Sequence, residues 1–420
     1  MCRRTATVAL LAAACVLALN VSATAATYLV QPDGSGDFGT IQDAIDAVSD
    51  TDIIELADGT FEGDGNRDID FAGKQITVRS LSGNPEDCTI DCGGEFTPHR
   101  GFWFHSGEGS TSVLENISVV NGYVVDGDGG AILCESACPT ITGCIFDSNT
   151  VAGDFVGGGA IFMQSPPYFV MTGCRFVGNT AGEFTGGSGG AISVYGAEQG
   201  EFHDCIFGPG NLAGSYGGGI VMDLAADSDL YFESCVIAEN DAPTGAGLYC
   251  DEGIVAMDGC SVYWNEAAAM PGRGGGLFVS GSANIVRSTF VANAAATGGG
   301  MYFSQSSSAD VNLCIVAGSL TGGGIHLEVP IREVNVQCCD VFDNEGGNYT
   351  GDLADQTGVN DNISEDPQFC NAAEGDLRLF DTSPCSEALS PCGQQIGALG
   401  VACDSPVEPT SWGRVKATYE

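Results

Sequence analysis

Asp223 and Asp251 stand at equivalent places after successive copies of a Gly-rich phrase, and Tyr249, Phe278 and Tyr302 share another such place. Carboxylates held about 5 Å apart could serve as acid and nucleophile of a retaining glycosidase, share a proton, or hold a hard cation such as Ca²⁺. Aromatic rings aligned at a similar step form an apolar platform for sugar rings or a protein partner. With Phe162, the candidate ligand-binding set is Phe162, Tyr249, Phe278, Tyr302, Asp223 and Asp251. No catalytic residue is assigned, with Asp223 and Asp251 kept as the alternative. His99, His105, His203 and His326 are scattered without zinc spacing and read as ordinary surface or loop residues. Asp126-Gly127-Asp128 and Asp64-Gly65-Asn66 could take Ca²⁺ but do not match an EF-hand loop, so the metal is unassigned and no other cofactor is expected.

The cysteines fall into two groups. Cys144, Cys174, Cys205, Cys235, Cys260, Cys314 and Cys339 recur in a column and read as small buried apolar residues. Cys370, Cys385, Cys392 and Cys403 cluster where the repetition stops and suggest two disulfides, with three pairings open. Cys88/Cys92 and Cys134/Cys138 are separate local candidates.

Two alternating phrases supply the elements that must position these groups. The first runs Gly129-Gly130-Ala131-Ile132, Gly158-Gly159-Ala160-Ile161, Gly189-Gly190-Ala191-Ile192 and Gly217-Gly218-Gly219-Ile220, with later copies ending at Leu248, Leu277, Met301 and Ile325. The second is Cys-x-apolar followed by Asn, as in Cys144 to Asn149, Cys174 to Asn179 and Cys235 to Asn240. After each Gly turn the first and third residues are apolar, which is strand alternation with one buried face. A repeat of 24 to 31 residues cannot close a core alone and must bury that face against its neighbours. Helical repeats are excluded, since the glycines would break them.

The pattern therefore predicts an all-β, single-stranded right-handed parallel β-helix of roughly a dozen coils, about 55–60 Å long. Asn at the tight turns should form a ladder, both tolerating left-handed geometry and bonding the next coil. Thr40 to Val48, with Ile41, Ala44, Ile45 and Val48 on one face, predicts a short N-terminal capping helix. Residues 27–115 should hold the cap and irregular coils, 116–350 the regular coils, 351–403 a Cys-rich closing coil, and 404–420 a flexible tail.

Charge narrows the partners. There are 55 acidic against 13 basic residues, a formal net charge of -42, which disfavours nucleic acid and polyanionic surfaces. Residues 1–26 read as a signal peptide, with Arg3 and Arg4, an apolar run from Val8 to Val21, and Ala23-Thr24-Ala25 as cleavage site. No later run is long and apolar enough to span a bilayer. The expectation is an exported monomer, extracellular or on a bacterial outer surface, where disulfides form.

These phrases resemble the GGA-I and F-x-x-N repeats of polymorphic outer-membrane proteins and related bacterial β-helix surface proteins. Gln31 to Phe38 with Thr40-Ile41-Gln42-Asp43-Ala44-Ile45 resembles the start of pectin-lyase-like β-helices, and Asp366-Pro367-Gln368-Phe369, Ser383-Pro384 and Ile396-Gly397-Ala398 are similar to their closing coil. The resemblance covers about residues 27–403 and speaks to fold rather than activity. The carboxylate-bearing segments of pectinesterases and the Gly-His-Gly and Asn-Thr-Asp motifs of polygalacturonases are absent. The expected role is thus adhesion or binding of carbohydrate or a cell-surface protein; a polysaccharide-degrading enzyme using Asp223 and Asp251, or a purely structural spacer, are the alternatives.

Overall fold

The computed structural model describes residues 25–403, except 95–96, 183–185, 269–270 and 330–332. The expected signal peptide and the tail lie almost wholly outside the described residues. Between them the chain winds as a right-handed parallel β-helix. One coil runs through Ile220–Asp223 in sheet C, Asp229–Glu233 in sheet A and Val236–Ala238 in sheet B, and the next begins at Leu248–Cys250, again in sheet C. Sheet A has 12 strands and sheets B and C have 11 each, so the stack is about 50 Å long. Every neighbouring pair in the three sheets is parallel, and Ile161, Ile192, Ile220 and Leu248 lie in direct register.

That register makes the interior a set of side-chain ladders. Phe146, Phe176 and Phe207 stack with centroids 5.0 Å apart, and all three are fully buried. Each such ring removed from water contributes about 2–3 kcal/mol. The thiols of the cysteine column are buried too, and those of Cys144, Cys174 and Cys205 donate to carbonyl oxygens of the preceding coil.

The corners explain the Asn and Gly phrases. Asn149, Asn179, Asn211, Asn240, Asn265 and Asn293 are buried in a continuous ladder. The Asn179 amide donates to Phe146 O of the coil before and to Asn211 Oδ1 of the coil after, both at 3.0 Å. The expected left-handed backbone, however, falls one residue earlier, at Ser148, Glu239, Trp264 and Ala292. Turning the chain there frees the Asn side chain to point inward along the stack. At the Gly turn a Cβ on Gly190 would lie 2.3 Å from Gly218 O, so the glycines let successive backbones approach.

Both ends are covered. The helix Ile41–Ala47 buries Ile41, Ala44 and Ile45, and the Thr40 hydroxyl accepts from the Asp43 N–H at 3.1 Å. Lys74 Nζ donates to Asp46 O and Val48 O at its C-terminal end, satisfying carbonyls that have no helical partner. At the other end Tyr349–Gly351 still adds to sheet C and Ile363 bridges to Asp340. Residues 364–403 then turn back as a flap. Phe369, Leu377, Leu379 and Ile396 of the flap pack sideways on Val291, Leu313, Ile315 and Ala317 rather than closing the stack as one more coil.

The flap corrects the disulfide expectations. Cys370 pairs with Cys403, but Cys392 pairs with Cys338, which was not a candidate. Cys338 occupies a left-handed corner, φ 52°, immediately before the inward Cys339, so its own side chain faces out toward the flap. Cys385 stays a free buried thiol, as do Cys88, Cys92 and Cys134; Cys138 is free and half-buried. Cys88 and Cys92 flank the extended strand Cys88–Asp91, which puts them about 13 Å apart, beyond disulfide reach. Cys134 points into the core, whereas Cys138 follows the corner at Ser136.

Candidate functional site: the outer face of sheet C

Alternation in sheet C turns one residue of each strand outward just after the Gly phrase. Register aligns Asp70, Trp103, Leu133, Phe162, Ser193 and Val221 in one column. The same column continues through Tyr249, Phe278, Tyr302, His326 and Thr350. Tyr249 and Phe278 stack at 4.9 Å and 8°, Phe278 and Tyr302 at 5.1 Å and 9°, and Tyr302 and His326 at 4.9 Å and 18°.

The stack is real, but much of it is closed: strand alternation turns these rings outward without determining what covers them. Phe278 is 7% exposed and Tyr302 is 2% exposed. The residues before each Gly turn form their own parallel column, Ser188, Tyr216, Thr244, Arg273 and Thr297, running beside the rings. From it the Arg273 guanidinium lies 5.5 Å from the centre of the Tyr302 ring. Phe162 and Tyr249 remain half-buried.

What stays open is set by residues outside the expected ligand set. Tyr216 is 44% exposed, and its ring lies 4.6 Å from Tyr249. Together with Pro243, Thr244, Pro271, Arg273 and Phe278 these tyrosines line a pocket of 340 Å³. Toward the N-terminus Trp103 is 41% exposed, stacks on His105 at 3.8 Å, and donates from Nε1 to Glu135 at 2.7 Å. Between them Phe162 stacks on Tyr195 at 5.3 Å. Trp103 follows no regular Gly phrase, and Tyr216 precedes one, so the repeat did not flag either.

The next outward column adds polar groups beside the rings. Tyr195 pairs with Asp223, and the Asp251 N–H donates to Met222 O at 2.9 Å, so the two aspartates follow each other on neighbouring coils. Tyr249 Oη donates to Asp251 Oδ1 at 3.4 Å. Partial burial, then the charges of Asp251 and Glu252, hold the Asp223 carboxyl above its ordinary value. The register thus brings together Tyr249, Asp223 and Asp251 as expected, while Phe162 stands three coils away. A second concavity of 570 Å³, beside the Asn ladder, is rimmed by Glu239, Asp241, Glu266 and Glu345 around Trp264, with no basic residue in its lining. Among the described residues the second concavity offers acidic acceptors alone, whereas the pocket on sheet C pairs its aromatic rings with the Arg273 guanidinium.

The histidines are engaged rather than free: His99 with Asp68, His105 with Asp70, and His203 between Glu201 and Glu233. Among the described residues three acidic, histidine or cysteine ligand atoms converge only at Cys338, Asp361 and Cys392, where the two sulfurs are bonded to each other. Neither Asp64 nor Asp126 and Asp128 belongs to such a group.

Residues 108–267 match the family model described as right handed beta helix region, which spans the central coils including Phe162, Tyr216, Tyr249, Asp223 and Asp251. No curated protein matches the chain. Among the described residues no helix is long and apolar enough to cross a membrane.

Proposed function

We propose that this right-handed β-helix protein is exported, acts at the cell surface or outside the cell, and binds carbohydrate along the outer face of sheet C without cleaving it. The observation that carries the reading is Tyr216, exposed and resting on the Tyr249 ring inside the 340 Å³ pocket. A sugar ring laid on such a face buries its apolar side, while the Arg273 guanidinium of the lining, Asp251 beside Tyr249, and Asp223 on the neighbouring coil take its hydroxyls. The coils repeat at about 4.8 Å, so an extended glycan lying along the axis meets equivalent groups coil after coil. The net charge of -42 favours uncharged or amino sugars over uronic-acid polymers, whose carboxylates would be repelled.

The test is affinity electrophoresis of the mature chain in gels containing neutral, amino or uronic-acid polysaccharides. Retardation by at least one neutral or amino glycan, lost in Tyr216→Ala, supports the reading. If no glycan retards the wild-type protein, the reading fails. The hydrolytic alternative is supported by the raised Asp223 carboxyl beside Asp251. Release of reducing ends by wild type but not by Asp251→Ala would favour it instead. Export rests on residues 1–26, with the small residues Ala23-Thr24-Ala25 near their end, and is tested by N-terminal sequencing of secreted material, which should begin at Thr27.

A further inference from the structure

The flap formed by residues 364–403 is hydrogen-bonded to the stack from Gly397 N–H to Leu313 O at 2.7 Å and from Ala398 N–H to Thr289 Oγ1 at 2.9 Å, and is held to sheet B by three further contacts. Phe369, Leu377, Leu379 and Ile396 cover an apolar strip made by Val291, Leu313, Ile315 and Ala317. Cys392 is bonded to Cys338, so the flap is tied covalently to the corner of a coil. The third contact is polar and fully enclosed. Asp340 continues the outward column of Thr289 and Ile315 on sheet B, yet the flap buries it completely. Its Oδ2 accepts from the Cys385 thiol and its Oδ1 from the Glu365 N–H, each at 3.1 Å.

A carboxylate at that place is badly matched. The titratable groups facing it are Cys385, Glu365 and Asp366 from the flap side, and Tyr349 from the stack. None of them is a cation. Burial, the largest influence, pushes the Asp340 carboxyl from 3.8 up to about 7; the two hydrogen bonds oppose this, and the charges of Glu365 and Asp366 add to it. An ionised Asp340 would sit in an apolar seam with only a thiol and one amide to solvate it.

We infer that the flap is a gated cover over the outer face of sheet B, locked by the Cys338–Cys392 bridge and, once that bridge is reduced, held closed more firmly while Asp340 keeps its proton. Unlocking takes two electrons and two protons from an external dithiol, which becomes a disulfide as Cys338 and Cys392 become thiols. The direction with pH follows from the closed state binding the proton more tightly than the open one. Closure is fully favoured below about pH 4 and weakens as pH rises to about 7, by tenfold for each unit separating the two values. Opening bares the strip around Ile315 and Ala317.

Hydrogen exchange of the full chain, corrected for intrinsic rates, tests this through Gly397 and Ala398, whose N–H groups donate across the seam to Leu313 O and Thr289 Oγ1, with strand Ile161–Gln164 as an internal control. Oxidised wild type should be protected at pH 5 and pH 8. With a dithiol reductant it should stay protected at pH 5 and open at least tenfold more at pH 8. Asp340→Asn under the same reductant should remain closed at both. Cys392→Ser, which leaves Cys370–Cys403 intact, should behave as reduced wild type without any reductant. Equal protection of the reduced protein at both pH values, a pH dependence surviving in Asp340→Asn, or a Cys392→Ser flap closed at pH 8 would each overturn the inference.

Discussion

The side-chain amide of Asn240 donates to Asn265 Oδ1 at 2.9 Å, and the Asn240 backbone N–H reaches the same oxygen at 3.1 Å. Asn265 in turn donates from Nδ2 to Ile237 O at 2.8 Å and to Asn293 Oδ1 at 3.0 Å. One side chain therefore joins three coils inside a dry corner, where water cannot substitute for a lost partner. Asn265→Ala should lower stability by about 3 kcal/mol, because the amide of Asn240 and the carbonyl of Ile237 are left buried without it. Urea unfolding measures the total, and exchange should accelerate first in the coils on either side of the gap.

The rings of sheet C should separate into two classes under mutation. Trp103→Ala and Tyr216→Ala remove exposed faces and should each weaken glycan binding about tenfold while leaving the thermal midpoint nearly unchanged. Tyr302→Ala empties a place between Phe278 and His326, so it should cost about 3 kcal/mol of stability with little effect on binding. A Tyr302→Ala protein of normal stability and lost binding would contradict the closed column.

Thiol chemistry offers a quick check of the interior. Of the 13 free cysteines among the described residues only Cys138 is not buried. Burial pushes the Cys88 and Cys144 thiols up to about 12, which leaves almost no thiolate at neutral pH. Native protein lacking residues 1–26 should therefore react at one rapid site with Ellman's reagent, mapped to Cys138 by mass spectrometry, and at the remaining thiols only after denaturation. Several fast sites in native protein would mean the cysteine column is not sealed.

His203 and His326 should titrate in opposite directions from an ordinary imidazole. Partial burial works against the His203 cation, but hydrogen bonds to Glu201 and Glu233 outweigh it and raise the value above 6.5. Burial lowers His326 below 6.5, more than the nearby Glu328 charge can offset. The His203 contribution is present below pH 6.5 and fades as pH rises through its folded value; that of neutral His326 is present above 6.5 and fades as pH falls. NMR titration of the four histidine rings, assigned with His203→Gln and His326→Gln, should place His203 highest of this pair; the reverse order would refute the assignment.

Much of the architecture was written in one dimension. Ile161, Ile192 and Ile220 recur with apolar partners two residues on, so the inward faces and their register follow from strand alternation alone, and the Asn ladder follows from its phrase. The backbone responsible for each corner was misplaced by one residue, because Asn is prominent in the phrase while Ser148, Glu239, Trp264 and Ala292 share no type. The ligand set was legible only as a column: spacing located Tyr249, Phe278 and Tyr302 but carried nothing about what covers them.

Local pattern determined the coil, the two faces that carry its phrases and the ladders within them, because each depends on neighbours one repeat apart, while the third face, sheet A, carries no phrase. Tertiary structure decided which outward residues meet water and which cysteines meet each other. Cys392 against Cys338 and Cys385 against Asp340 join places whose separation in the chain obeys no period, and Arg273 reaches Tyr302 only through the way its turn lies over the neighbouring coil. Such contacts arise where turns and the flap fold over a finished sheet, and their geometry exists only once that sheet has formed.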